Sequence, residues 1–265
     1  MRRTLRLTLA YDGTGYAGWQ RQHNALAVQA VLEDALATIV GFRIPINAAG
    51  RTDAGVHAAG QVASVVLAHP IACDALVSAL NNRLPREIRV RLVEEMFDGF
   101  DARVHAVSKT YRYAIWNGEA VSPFLRHVVW QVPQPLDVDR MMAAASTLVG
   151  EHDFAGFQAA GGDVKTTRRR LLTSEIVRVN LHTEEPVVVP SKAGAGEAEH
   201  PLIRYEVTGT GFLRHMVRTI VGTLVEIGRG RLPVEVIAAI LESADRRQAG
   251  MTAPPLGLML WKVNY

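Results

Sequence analysis

The residues best placed to do chemistry lie between Gly50 and His57, in the run Gly50-Arg51-Thr52-Asp53-Ala54-Gly55-Val56-His57. Asp and Gly are turn formers, so an ordinary turn accounts for part of this pattern. Two features point further. Arg51, two residues before Asp53, is spaced to pair with its carboxylate along one side of an extended loop and hold it ionised. The flanking glycines let a bulky substrate come close to the backbone. An ionised, oriented carboxylate in an open loop can act as nucleophile, general base or metal ligand. Spacing alone leaves all three open. His57 is a possible partner for Asp53, but no GxSxG element accompanies it to make a hydrolase triad. The nine histidines form no HExxH or other zinc spacing, so no metal is expected.

Three further segments carry chemistry. Lys109-Thr110-Tyr111-Arg112-Tyr113 alternates basic and aromatic residues on a predicted strand, with Tyr111 and Tyr113 on one face. Tyr113 reads as core, and Tyr111 as a ring able to stack on an unpaired RNA base. Gly209 to Arg218 reads as a glycine-flanked entry to a buried helix. There Arg214 and Arg218, four apart, are expected to share a face and hold a phosphate or a buried carboxylate. Gly13-Thr14-Gly15-Tyr16-Ala17-Gly18 matches the letters GxGxxG of a dinucleotide-binding turn. That turn must open a helix directly, yet Trp19 to Asn24 has no apolar face. The match reads as accidental, and a nucleotide-dependent oxidoreductase is set aside.

The elements that must position these groups alternate without a strict βαβ rhythm. Strands are predicted over 6–11, 44–48, 61–67, 88–93, 110–116, 128–132, 171–179, 202–208 and 256–263. Helices are predicted over 28–39, from a cap at Asp74 to Leu80, and after a cap at Asp137 or Asp139. A long helix is expected over Phe212 to Ile227, closed by Gly228 and Gly230, with another over 234–241. The stretch from Lys192 to Glu197 reads as a flexible surface loop. The pattern predicts an α+β protein of two similar domains, each a largely antiparallel sheet backed by helices. The expected division is 1–105, carrying the Asp53 loop, and 106–265, carrying the tyrosine strand and the arginine helix.

The 265 residues, 48% hydrophobic and 21% charged, have the balance of a globular protein. No apolar run is long enough for a membrane span and the N-terminus lacks a signal-peptide core. Cys73 is the only cysteine, so an intrachain disulfide is excluded and a cytoplasmic location is the economical expectation. Net charge is only +3, but the arginines cluster, notably Lys165 with Arg168, Arg169 and Arg170. RNA is therefore a permitted partner and not a required one.

Taken together, these segments resemble the TruA family of tRNA pseudouridine synthases. The likeness is carried by Tyr11-Asp12-Gly13-Thr14 with Gly18-Trp19-Gln20, by Gly50 to Ala58, and by Lys109 to Tyr113. It continues in Gly211 to Arg218 and in Ala253-Pro254-Pro255 with Gly257-Leu258, in family order along nearly the whole chain. The resemblance implies a homodimer whose two-domain subunits hold the anticodon arm of tRNA in a central cleft. It implies isomerisation of uridines at positions 38, 39 and 40, without cofactor or metal. Carried over by motif, Asp53 is the nucleophile, Arg51 its neighbour, Tyr111 a contact to the target base, and Arg218 part of the same charged network. Phe212, Arg214, His215, Arg168 and Arg169 are expected to bind substrate, with Leu258 as an aliphatic lid over the uracil. A non-catalytic RNA-binding module is the competing reading.

Overall fold

A computed structural model describes residues 2–161, 164–179, 186–187 and 202–265. The chain forms two compact units, one of Met1–Lys109 with Met259–Tyr265 and the other of Thr110–Leu258. Both combine helices with mostly antiparallel strands, the α+β class that the sequence predicts.

In the first unit, β1 (Arg3–Tyr11) runs antiparallel to both β3 (His57–Leu67) and β4 (Ile88–Met96). Leu5, Leu7 and Leu9 are fully buried while Arg6 and Thr8 alternate with them, the period-two pattern of a strand with one covered face. The short β2 (Asn47–Ala48) pairs with β3. The predicted strand over 44–48 is thus reduced to its last two residues. Ile46 N–H bonds Glu33 Oε1 at 3.1 Å instead of a neighbouring strand. β3 is buried on both faces over most of its length, as a strand inside a sheet must be. The C-terminal strand (Leu258–Asn264) adds to it in parallel, Met259 opposite His57 and Leu260 opposite Ala58.

Helix α1 (Val28–Val40) buries Val28, Leu32, Ala35 and Leu36 and ends at Gly41, whose φ of 91° gives the left-handed cap. Helix α2 (Cys73–Asn81) packs on β4. Its N-cap is Ala72, with no side-chain hydrogen bond, so Asp74 is not the cap. Asp74 sits inside the first turn, where its charge meets the positive end of the helix.

In the second unit the strand order is β5 (Ser108–Trp116), β10 (Leu202–Gly209), β8 (Arg168–Val179) and β7 (Gly150–Asp153). The first two residues of β5 belong to the first unit. β6 (Trp130–Gln131) pairs with β5 in parallel and β9 (Pro186–Val187) with β8 in antiparallel fashion. Helix α3 (Val138–Ser146), capped by Asp137 through the Arg140 N–H at 3.1 Å, packs on β8 and on α4 (Met216–Gly228). α5 (Val236–Ser243) follows. The stretch from Lys192 to Glu197 lies outside the described residues.

One helix differs from the sequence reading in a way that matters. α4 begins at Met216, four residues later than predicted, because His215 takes a left-handed backbone (φ 59°) as its N-cap. Phe212 to Arg214 is therefore an entry segment and not a first turn. Arg214 and Arg218 do not share a helix face.

Candidate active site

Asp53 is part-buried in the loop that leads into β3, and that loop is braced by the turn that follows β1. The two meet because β1 and β3 are antiparallel neighbours, with Tyr11 opposite Ala58 and a bulge after Leu9. Trp19 N–H donates to the Thr52 carbonyl at 3.1 Å and Gly55 N–H to the Tyr16 carbonyl at 3.2 Å. The buried Tyr11 hydroxyl and Thr52 Oγ1 are hydrogen-bonded at 2.9 Å. Burial pushes the Tyr11 hydroxyl up to about 12, so it stays protonated and available to that bond. Gln61 Nε2 donates to the Gly50 carbonyl at 2.8 Å, closing the start of the loop.

The glycines of the GxGxxG letters explain themselves here. A Cβ at Gly13 would land on the Val56 carbonyl, and one at Gly18 would stand 2.5 Å from the Thr52 carbonyl oxygen. Gly18 also has φ of 90°, which L side chains rarely adopt. The backbone they admit is the Asp53 loop itself, not a pyrophosphate. His57 is buried beside them, its Nδ1 3.1 Å from the Gly13 nitrogen. Asp12 Oδ1 lies 3.1 Å from the same nitrogen and accepts from the Thr14 N–H and hydroxyl. His57 thus ties the two loops together. Arg51 is exposed, and its side chain makes no hydrogen bond or ion pair among the described residues, so the expected Arg51–Asp53 pair is not formed.

The second unit carries the remaining sequence-predicted residues. Tyr111 is buried and meets Phe212 edge to face, ring centroids 5.0 Å apart. Phe212, expected as a substrate-binding residue, is the ring whose edge-to-face contact Tyr111 makes. Tyr113 is core as predicted, with its hydroxyl donated to the Pro254 carbonyl at 2.8 Å. Gly257 packs so closely on the Tyr113 ring that a Cβ would stand 2.6 Å from it, which seats the segment leading to the buried Leu258.

Arg218, on the first turn of α4, donates Nε to the Ala253 carbonyl at 2.8 Å, and Ala253 N–H returns a bond to the Arg218 carbonyl at 3.0 Å. The 250–253 strap comes that close because Gly222 and Gly250 leave it room. Arg214 instead points back, giving Nη1 to the Ala160 carbonyl at 2.9 Å. Arg169 lies over Gly211, its Cδ 3.3 Å from where a Cβ would be, and Thr210 N–H bonds the Arg170 carbonyl at 3.1 Å. Arg169 thus lies against the chain that enters α4, in which Arg214 precedes the left-handed N-cap His215. Arg168 is an exposed partner of Glu151 at 3.4 Å. Among the described residues no group of three or more His, Cys, Asp or Glu could hold a metal ion.

The first unit thus holds an acid in a backbone-braced loop, and the second holds a buried tyrosine edge-on to a phenylalanine. The family described as tRNA pseudouridine synthase matches residues 8–103 and 144–265. Among curated relatives, tRNA pseudouridine synthase A of Pelobacter propionicus is 44% identical over 99% of this chain and 100% of its own. The enzymes of that name from Syntrophotalea carbinolica (44%, 98% of this chain and 96% of its own) and Myxococcus xanthus (41%, 98% and 91%) are similarly close. The chain belongs to the tRNA pseudouridine synthase family, a family of isomerases.

Proposed function

We propose that this chain converts uridine to pseudouridine in the anticodon stem-loop of tRNA, at positions 38 to 40, with Asp53 as the nucleophile. The observation that carries the reading is the bracing of the Asp53 loop. Tyr11, Gln61, His57 and two backbone bonds fix a loop whose only carboxylate is that of Asp53. Catalysis of this kind needs an acid held in one geometry.

The reaction breaks the N1–C1′ bond, turns the uracil, and forms a C5–C1′ bond, with a proton lost from C5 and gained at N1. Asp53 serves it by attack at C6 or at C1′, or by taking the C2′ proton. The target nucleotide leaves its stem to reach the site. Tyr111, held edge-on by Phe212, is the ring that contacts the base, and Leu258 covers the uracil so that it is retained between cleavage and rejoining. Arg51 and Arg218 are assigned to the charged network of the site, and Arg168, Arg169, Arg214 and His215 to the RNA backbone. The working form is a homodimer in the cytoplasm, and no metal or cofactor takes part.

The decisive variant is Asp53→Asn, tested with tRNA transcripts carrying uridine at positions 38 to 40. It should bind tRNA as the wild type does and form no pseudouridine. Continued conversion would remove Asp53 from its role. Wild-type binding without any conversion would favour an RNA-binding module.

A further inference from the structure

Lys109 has no part in the roles assigned above, and its surroundings are unusual for a lysine. It is the second residue of β5, part-buried, with its stem and ammonium lying over Gly50. A methyl group placed on Gly50 would meet Lys109 Cε at 3.3 Å, Cδ at 3.6 Å and Nζ at 3.7 Å. The Gly50 carbonyl is already taken by Gln61. Among the described residues the Lys109 side chain makes no hydrogen bond and no ion pair. Burial, with the like charge of Arg103, pushes its ammonium below the usual lysine value.

A cation held partly out of water, under the like charge of Arg103 and with no ion-pair partner among the described residues, costs stability. Such a cost is tolerated where a ligand supplies the missing anion. The ammonium is a compact point charge that suits one non-bridging phosphate oxygen. Gly50 has no side chain to block an approach to it. The next residue is the exposed Arg51 and Asp53 follows two further on, so an anion seated here borders the catalytic loop.

We propose that Lys109 grips the substrate backbone: its Nζ takes a phosphodiester beside the target uridine, over Gly50, and so sets where the ribose lies relative to Asp53. This rests on the reading of the chain as a tRNA-modifying enzyme. Lys109 is then a substrate-binding residue that positions the reacting sugar.

The test compares wild type, Lys109→Met and Lys109→Arg on tRNA whose phosphates have been ethylated at random. Wild type should be excluded from molecules ethylated at one phosphate adjoining the target. That signal should vanish in Lys109→Met and return in Lys109→Arg. Lys109→Met should also raise KM about tenfold and lower the salt slope of binding by about one. Its melting temperature should equal or exceed that of wild type, whereas a structural role would lower it. An interference pattern unchanged in Lys109→Met overturns the inference. So does a melting temperature that falls with KM and the salt slope unaltered. Both outcomes leave the functional reading intact if wild type makes pseudouridine; a wild type that makes none sinks that reading instead.

Discussion

Tyr11 and Gly18 brace the Asp53 loop, and each makes a distinct prediction. Tyr11→Phe removes the hydroxyl bonded to Thr52 Oγ1. It should cost about 1 kcal/mol in urea unfolding and lower kcat with tRNA affinity unchanged. An unaltered kcat would show that the loop is held by its backbone bonds alone. Gly18→Ala forces a side chain onto the Thr52 carbonyl at a φ of 90°. A loss of about 1–3 kcal/mol is expected, read as a lower urea midpoint. The acid itself was legible in the sequence, because Gly-Arg-Thr-Asp-Ala-Gly is a distinctive run. Its bracing was not, since Gly13 and Val56 become neighbours only once β1 pairs with β3. The letters GxGxxG were visible, but the chain that fills the space above those glycines was not.

Helix α4 shows the same limit at the scale of an element. Its apolar periodicity was clear, yet periodicity does not mark the left-handed turn at His215 that delays its start to Met216. The consequence is that Arg214 and Arg218 serve different carbonyls, those of Ala160 and Ala253. Gly222, within the helix, is where the 250–253 strap crosses, and a Cβ there would overlap the Met251 carbonyl. Gly222→Ala should therefore destabilise by about 3 kcal/mol and displace the strap that binds Arg218. A melting curve that does not move would mean that the strap is free to lift. Beside β7, the Thr167 hydroxyl and the Ala155 N–H hold the Asp153 carboxyl below the usual carboxylate range. A depressed folded value gives stability that is present above the unfolded value and lost as pH falls through the folded one. Asp153→Asn should accordingly lower stability at neutral pH and flatten the acid limb of the stability curve below about pH 4.

At the scale of the molecule, the last seven residues belong to the first unit although the chain reaches them from the second. The C-terminal strand pairs with β3, Asn264 Nδ2 bonds Ser108 Oγ at 2.9 Å, and the Tyr265 hydroxyl bonds the Ala102 carbonyl at 2.7 Å. Ending the chain at Leu258 should expose the β3 amides to hydrogen exchange; full protection would show that the strand is dispensable. Replacing Arg168, Arg169 or Arg170 by Ala should weaken tRNA binding and lower its salt slope by about one, and an unchanged slope would make this a merely solvated face.

By itself the sequence determined the α+β class, most strands and helices, the acid loop, the tyrosine strand and the family, because these rest on local periodicity and on short runs of distinctive residues. Only the tertiary structure decided what surrounds Asp53, where α4 begins, and that the final strand returns to β3. Those depend on contacts between residues far apart in the chain, which no local pattern encodes.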